Sequence, residues 1–273
     1  MEWAGEFQSA FQLSVRRMTK PRVFMPAVLI IGLAQGFGLG VSGAALGLMQ
    51  QEAGLERLSA YGGLFWLLGM GLLACGPAAV SGFMCLAERA TEDAEQGWRD
   101  FWGGVGKYYW RVVGVYLLVA AAAIVFGLTA LGGYSSWAAG QAPKTSFFWQ
   151  AVSLAVEYLF TAWTAVMAID GANSIASLGG AVRFAWAKPA FLAPAFLLQK
   201  ASEWAVDRVS STVVLSGPYG PAAPLWSGRM VAGLLTGALS GWIYMLFMLV
   251  YFQLYRTSKG PDRPTGPGPA PGE

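Results

Sequence analysis

Long runs of uncharged residues are the feature that most restricts what this chain can become. Val23 to Met49, Leu58 to Ala87, Val112 to Pro143 and Met230 to Tyr255 contain no Asp, Glu, Lys or Arg, and Thr145 to Ile169 contains only Glu157. A helix needs about 20 mostly apolar residues to cross the hydrocarbon layer of a bilayer. Within that layer only helices and closed barrels satisfy their own backbone polar groups. The runs are continuous rather than alternating, so they predict helices and an all-α, polytopic integral membrane bundle. The overall charge content, 12% of 273 residues, is about half that of an ordinary soluble domain, roughly 25%.

Six transmembrane helices are expected, at about Arg22 to Met49, Gly62 to Ala87, Trp110 to Gly132, Phe147 to Ile169, Pro189 to Val209 and Arg229 to Tyr255. With these spans, only Arg57, Lys144, Lys200, Arg208 and Arg229 fall on one side, while the other 13 of the 18 Lys and Arg fall on the other. The positive-inside bias makes the richer side cytoplasmic, and it carries both termini. The expected setting is the bacterial cytoplasmic (inner) membrane. Met1 to Lys20 is too polar and too long for a cleavable signal peptide. The tail over 256–273 is rich in Pro and Gly and is expected to be disordered.

Two internal correspondences suggest a repeat. Gly103-Gly104-Val105-Gly106-Lys107-Tyr108-Tyr109-Trp110 aligns with Gly179-Gly180-Ala181-Val182-Arg183-Phe184-Ala185-Trp186. Lys20-Pro21, Pro26-Ala27 and Leu29 align with Lys188-Pro189, Pro194-Ala195 and Leu197. Together they predict three parallel hairpin repeats, at about 7–87, 98–169 and 175–255, each preceded by a cytoplasmic amphipathic helix, forming one domain over 1–255. Each of those helices sets cations beside aromatics, as at Arg99, Trp102 and Lys107, a pattern suited to anionic headgroups or to simple topological anchoring. By the repeat, Pro189 opens the fifth helix as Pro21 opens the first. That helix then either crosses the membrane through Lys200, Glu203 and Asp207, or ends early and gives way to a helix lying on the outer surface.

The composition excludes several functions. A net charge of +3, dispersed along the chain, is too weak for nucleic-acid binding. Without histidine there is no imidazole metal ligand and no Ser-His or Cys-His nucleophile. Catalytic residues, metal ligands and cofactors are therefore not expected. Cys75 and Cys85 are about 15 Å apart along one helix, too far to bridge, and read as small packing residues.

The remaining candidates are polar groups in apolar surroundings and stripes of glycine. Glu157 falls near the bilayer centre, where a carboxylate is costly and marks a proton relay, cation site or substrate anchor. Alternatively, its neutral form simply hydrogen-bonds Gln35 or a nearby hydroxyl. Gln199, Glu203 and Asp207 recur every four residues and share a helix face with Lys200 beside them. This face either lines a vestibule together with Glu157 or is solvated at the surface. Asp170 reads as a turn or helix cap, and the acidic run Glu88, Glu92, Asp93 and Glu95 as a solvated loop face. Gly32, Gly36 and Gly40, and again Gly233, Gly237 and Gly241, form stripes that allow close helix packing, within the bundle or in a dimer.

The segment from Gly82 to Leu118 carries Gly82-Phe83, an acidic stretch and Trp98-Arg99-Asp100-Phe101-Trp102-Gly103-Gly104 before a tyrosine-rich helix start. It resembles a motif of uncharacterised six-helix bacterial membrane proteins, similar to the membrane domain fused to some glycerophosphodiester phosphodiesterases. Asp170 to Trp186 resembles the matching second motif. The resemblance implies a six-helix membrane module without established catalysis. Three functions stay open at this point: a noncatalytic scaffold, anchor or accessory subunit whose partners are the lipid bilayer and other membrane proteins; a transporter or channel for a small solute or lipid, using Glu157 and the polar face of the fifth helix; and a lipid-modifying enzyme working through carboxylates alone.

Overall fold

A computed structural model of the chain describes residues 2–49, 75–92, 94, 97–137, 143–216 and 228–259, with 2–3, 39–49, 123–137, 143–150, 210–216 and 228–229 described by their backbone alone. The described residues form helices and no strand. In chain order these are α1 (Glu2–Met18), α2 (Pro21–Met49), α3 (75–91), α4 (Trp98–Trp137), α5 (Pro143–Phe160), α6 (Trp163–Asp170), α7 (Ser174–Ala187), α8 (Pro189–Ser216) and α9 (Gly228–Ser258).

Local chemistry sets most of the boundaries. Pro21 and Pro189 each occupy the first position of a helix, where the missing N–H has no partner to lose. α6 ends at Gly171, whose left-handed φ of 63° is a conformation that glycine adopts without strain. Asn173 then caps α7 by accepting from the Ala176 N–H at 2.9 Å, which satisfies one of the orphan donors of a helix start. At Lys188 the chain turns through 105° from α7 into α8.

α2 and α9 form the closest helix pair, and glycine is the reason. A Cβ on Gly241 would lie 2.5 Å from the Ala27 carbonyl oxygen, and one on Gly237 would lie 2.8 Å from the Gly32 Cα. A Cβ on Gly36 would meet the Leu234 side chain at 2.7 Å. Because Ala27 faces Gly241 while Gly36 faces Leu234, the helices are antiparallel. The start of α2 and the end of α9 therefore lie at the same end of the bundle. Gly233 is buried on α9, and Gly40 lies where α2 is described by backbone alone. The glycine stripes thus meet each other inside one chain.

Large buried side chains gather at that same end. α9 is buried without interruption from Met245 to Tyr255, while Val231, Leu235 and Leu239 nearer its start are exposed. Gly104 brings α4 against α3, where an added Cβ would sit 2.5 Å from the Cys85 Cβ. Cys85 is accordingly a buried packing residue, whereas Cys75 is exposed.

Three stretches of the described residues are long and apolar enough to cross a bilayer: Pro21–Gly38, Ala151–Asp170 and Met230–Ser258; the bent pair α7–α8 makes a fourth when taken as one span. The chain is a helical membrane protein. Three features differ from the sequence expectation, and for α8 one of the two open alternatives is met. The basic aromatic segment starting at Trp98 does not form a separate helix but is the first part of the 40-residue α4. α8 does not end early; it is one helix from Pro189 to Ser216. α9 runs on through Ser258, so residues 256–258 are helical rather than tail. The expected fourth span carries a turn at Thr161 and Ala162, between α5 and α6, though Ala151–Asp170 still forms one apolar stretch long enough to cross. The first part of the expected second span, the outer loop over 217–227 and the tail over 260–273 lie outside the described residues.

The α2–α9 contact predicts unequal effects of adding one methyl group. Gly241→Ala should destabilise the protein by about 1–3 kcal/mol, because the added carbon meets backbone that cannot move aside. Gly38→Ala, with nothing within 4 Å of the new Cβ, should be near neutral. Unfolding in mixed detergent micelles measures both, and equal effects would contradict the seam.

Candidate functional site

Lys200 stands 11 residues into α8, about 16 Å from its proline end. Its ammonium lies 2.5 Å from a Glu157 carboxylate oxygen on α5 and 2.8 Å from one of Glu203, three residues further along α8. The second Glu203 oxygen accepts from the Gln199 amide at 2.7 Å, and the Gln199 carbonyl accepts from the Tyr251 hydroxyl of α9. A single connected network thus ties α5, α8 and α9 together. Four of the six polar candidates read from the sequence belong to it.

The Glu157 partner is therefore Lys200, not Gln35 as one sequence reading had it. The hydroxyl expected beside Glu157 is present in a lesser role, since Ser153 donates to its carboxylate at a long 3.4 Å. The remaining two candidates are close by. Gln35, Glu203, Asp207, Ser240 and Tyr244 help to line a cavity of about 310 Å³, while Glu157, Gln199, Lys200, Thr161 and Tyr251 help to line another of about 290 Å³. Tyr244 is part of both walls, and the Lys200–Glu203 pair joins a group of one cavity to a group of the other.

The first cavity sits against the break between α5 and α6. There the Thr161 N–H bonds back three residues to the Tyr158 carbonyl at 3.3 Å, and the Thr161 hydroxyl donates to the Glu157 carbonyl at 2.6 Å. Ala162 adopts φ −89°, ψ 6°, outside the helical well. A threonine hydroxyl that bonds back to the preceding turn competes with the helix ladder. Irregular backbone at membrane depth is tolerated where it is enclosed by protein or lines a wet cavity. The Thr161–Ala162 break, along with Tyr244, Tyr251 and Trp163 in the cavity wall, escaped the sequence reading. Tyr244 and Tyr251 are seven residues apart, two helical turns, and that spacing was the available signal.

α8 runs antiparallel to α9, since Gln199 meets Tyr251 while Glu203 and Asp207 share a cavity with Ser240 and Tyr244 further back along α9. It does not lie across the bundle end. The side chains of Lys200, Glu203 and Glu157 remain 30, 40 and 46% exposed. Pairing at that degree of exposure falls between a surface ion pair and a buried one.

A second polar cluster closes the end of the bundle where α9 finishes and α2 begins, and it alters the reading of the acidic run. Glu88 is not simply solvated: it accepts from Lys107 and, at 2.8 Å, from the buried Tyr108 hydroxyl. Burial, then the Glu88 charge and this hydrogen bond, raise the Tyr108 phenol far above its ordinary pKa, so it remains a donor. Arg256 pairs with Glu92 at 2.8 Å and, with Arg17, donates to the Thr91 carbonyl at the end of α3, where unpaired carbonyls favour cations. Asp170 accepts from Tyr255 at 2.7 Å and pairs with Lys259. Its cap role is filled by Gly171, and its carboxylate holds the end of α9. Asp93 and Glu95 lie outside the described residues. These groups clamp helix ends. No cluster of three or more Cys, Asp or Glu able to hold a metal occurs among the described residues.

No family model, curated protein or solved structure matches the chain. Fold and site together define a polytopic helical membrane protein with an ion-pair network beside the α5–α6 turn.

The network predicts coupling across it. Glu157→Gln and Lys200→Met, made singly and together, should show a coupling of about 1–3 kcal/mol in a double-mutant cycle of thermal unfolding. Additive effects would mean that the pair carries no stability.

Proposed function

We propose that the chain forms six transmembrane helices and holds, between α5, α8 and α9, a binding and permeation site for a small polar solute. The observation that carries this reading is the placement of Lys200, bonded to Glu157 and Glu203 at mid-helix beside an interrupted span. Charged groups left half exposed at that depth do not face hydrocarbon, so the two adjoining cavities are read as water-filled. Interrupted helices near the bilayer centre are also a recurrent way of building solute sites. The cavity containing Ser240 and Asp207 then acts as the outer vestibule and the one at the break as the inner site. The polar face of α8 lines a vestibule rather than a solvated surface.

The three-unit repeat is part of the same proposal and is supported by burial. In both copies of the double-glycine motif the first glycine, Gly103 or Gly179, has nothing within 4 Å, while the second packs on the preceding span. Gly104 meets Ser81 and Cys85, and Gly180 meets Val166. Tyr108 and Phe184 are buried, and Trp110 and Trp186 are exposed. Lys20 and Lys188 each precede a proline that opens a helix. The exposed Trp98, Trp102, Trp110 and Trp186, near Arg99 and Arg183, suit a headgroup layer at the clamped end. We take that end as cytoplasmic and the membrane as the bacterial inner membrane. The likeness to six-helix bacterial membrane modules agrees with this arrangement and rests on the quoted motifs alone.

A second reading, a noncatalytic scaffold or accessory subunit, is favoured by the self-contained pairing of the network, which a structural brace would show. Under it Glu157→Gln leaves function in cells intact, whereas a permeation site loses flux. Nothing in the network favours lipid chemistry by carboxylates alone, since Lys200 holds both Glu157 and Glu203.

Accessibility tests the site directly. In a background lacking Cys75 and Cys85, cysteine at Asp207 or Ser240 should react with a membrane-impermeant maleimide added outside. Cysteine at Leu239, the exposed neighbour of Ser240, should stay unlabelled because it meets lipid. Equal labelling of Ser240 and Leu239, or none at Asp207 and Ser240, would overturn the vestibule.

A further inference from the structure

From the chemistry of the inner cavity we propose its ligand class: a small organic ammonium ion, primary or quaternary. The inference rests on the solute-site reading above and narrows it. The Lys200 ammonium shows what the surroundings hold, because it sits between the carboxylates of Glu157 and Glu203 and its nitrogen lies 5.7 Å from the centre of the Phe196 ring. An ammonium diffusing into the cavity would find the Glu157 carboxylate and the same ring in its wall, and on displacing Lys200 it would free Glu203, which lines the adjoining cavity. Phe160, Trp163, Phe196, Tyr244, Phe247 and Tyr251 all line this space. Aromatic faces attract cations, and cages of them recognise quaternary ammonium groups.

Charge points the same way. Among the described residues that line the two cavities, Glu157, Glu203 and Asp207 face one cation, Lys200, so a cationic solute offsets charge that an anionic one would add to. The volume of about 290 Å³ lies at the lower edge of the range for small-molecule sites, about 300–1,000 Å³, and suits a compact ion. Lys200 is then a tethered occupant that the solute displaces. Its movement would open the Lys200–Glu203 pair between the two cavities.

The test uses the full chain in lipid nanodiscs, titrated by calorimetry with choline, its neutral isostere 3,3-dimethylbutanol and the anion 3,3-dimethylbutanoate. Choline should bind at least tenfold more tightly than either. Glu157→Gln should weaken choline at least tenfold, with Glu157→Asp restoring part of the affinity. Lys200→Met should tighten it several-fold by removing the internal competitor, while Lys200→Arg, which keeps the charge, should not. If the neutral or anionic probe binds as well as choline, and Trp163→Ala abolishes that binding, the ammonium inference falls while the solute site stands. If none of the three probes binds, both fall.

Discussion

Close backbone contact between α2 and α9 is the constraint on which the remaining architecture depends. Lipid is as apolar as a leucine side chain, so burial alone does not hold membrane helices together. Gly32, Gly237 and Gly241 remove side-chain bulk where the two helices meet, and at Gly237 and Gly241 the contact distances leave no room for a methyl group. Because the helices are antiparallel, this seam returns the end of α9 to the start of α2. Around that point the ends of α1, α3 and α6 are gathered by Arg17, Arg256 and Asp170. One end of the bundle is thereby rigid and densely packed.

The opposite half of α9 is less enclosed, and the polar network starts inside the packed run and leads away from it. Tyr251 lies within the buried run of α9, and its hydroxyl reaches Gln199 on α8. From there the connection passes through Glu203 and Lys200 to Glu157 on α5. Each group in the series is satisfied by another from a different position, so the network orders three helices as well as creating a polar surface between them. Permeation on this account requires the same bonds to open. The turn at Thr161–Ala162 and the half-exposed ion pair sit together and away from the clamped end, as that proposal requires.

Much of this was legible in the chain itself, for definite reasons. Pro21 and Pro189 declare helix starts because proline is tolerated in the first turn, and the paired Lys-Pro motifs placed α2 and α8 correctly. No proline interrupts Tyr109-Trp110, and there the separate cytoplasmic helix expected from the repeat is instead continuous with α4. Glu157 stood out as a lone charge in an apolar run, but its partner lies 43 residues on, and periodicity within one helix carries no information about pairing between helices. Glu88 and Glu92 looked solvated for the same reason, since Lys107 and Arg256 reach them from other helices. The break at Thr161-Ala162 contains neither Gly nor Pro, and a threonine hydroxyl bonding back to the helix leaves no pattern distinct from threonines that do not break one.

The central claim is that α8 carries Lys200 through the interior of the bilayer. Its most direct measurement is the depth of a nitroxide at Ala201, an exposed neighbour of Lys200, in the reconstituted protein. Power-saturation electron paramagnetic resonance with oxygen and a water-soluble nickel chelate reads that depth. Dominant relaxation by oxygen, at a depth near the bilayer centre, is the predicted result. Dominant relaxation by the nickel chelate, at headgroup depth, would place α8 on the surface and contradict the account.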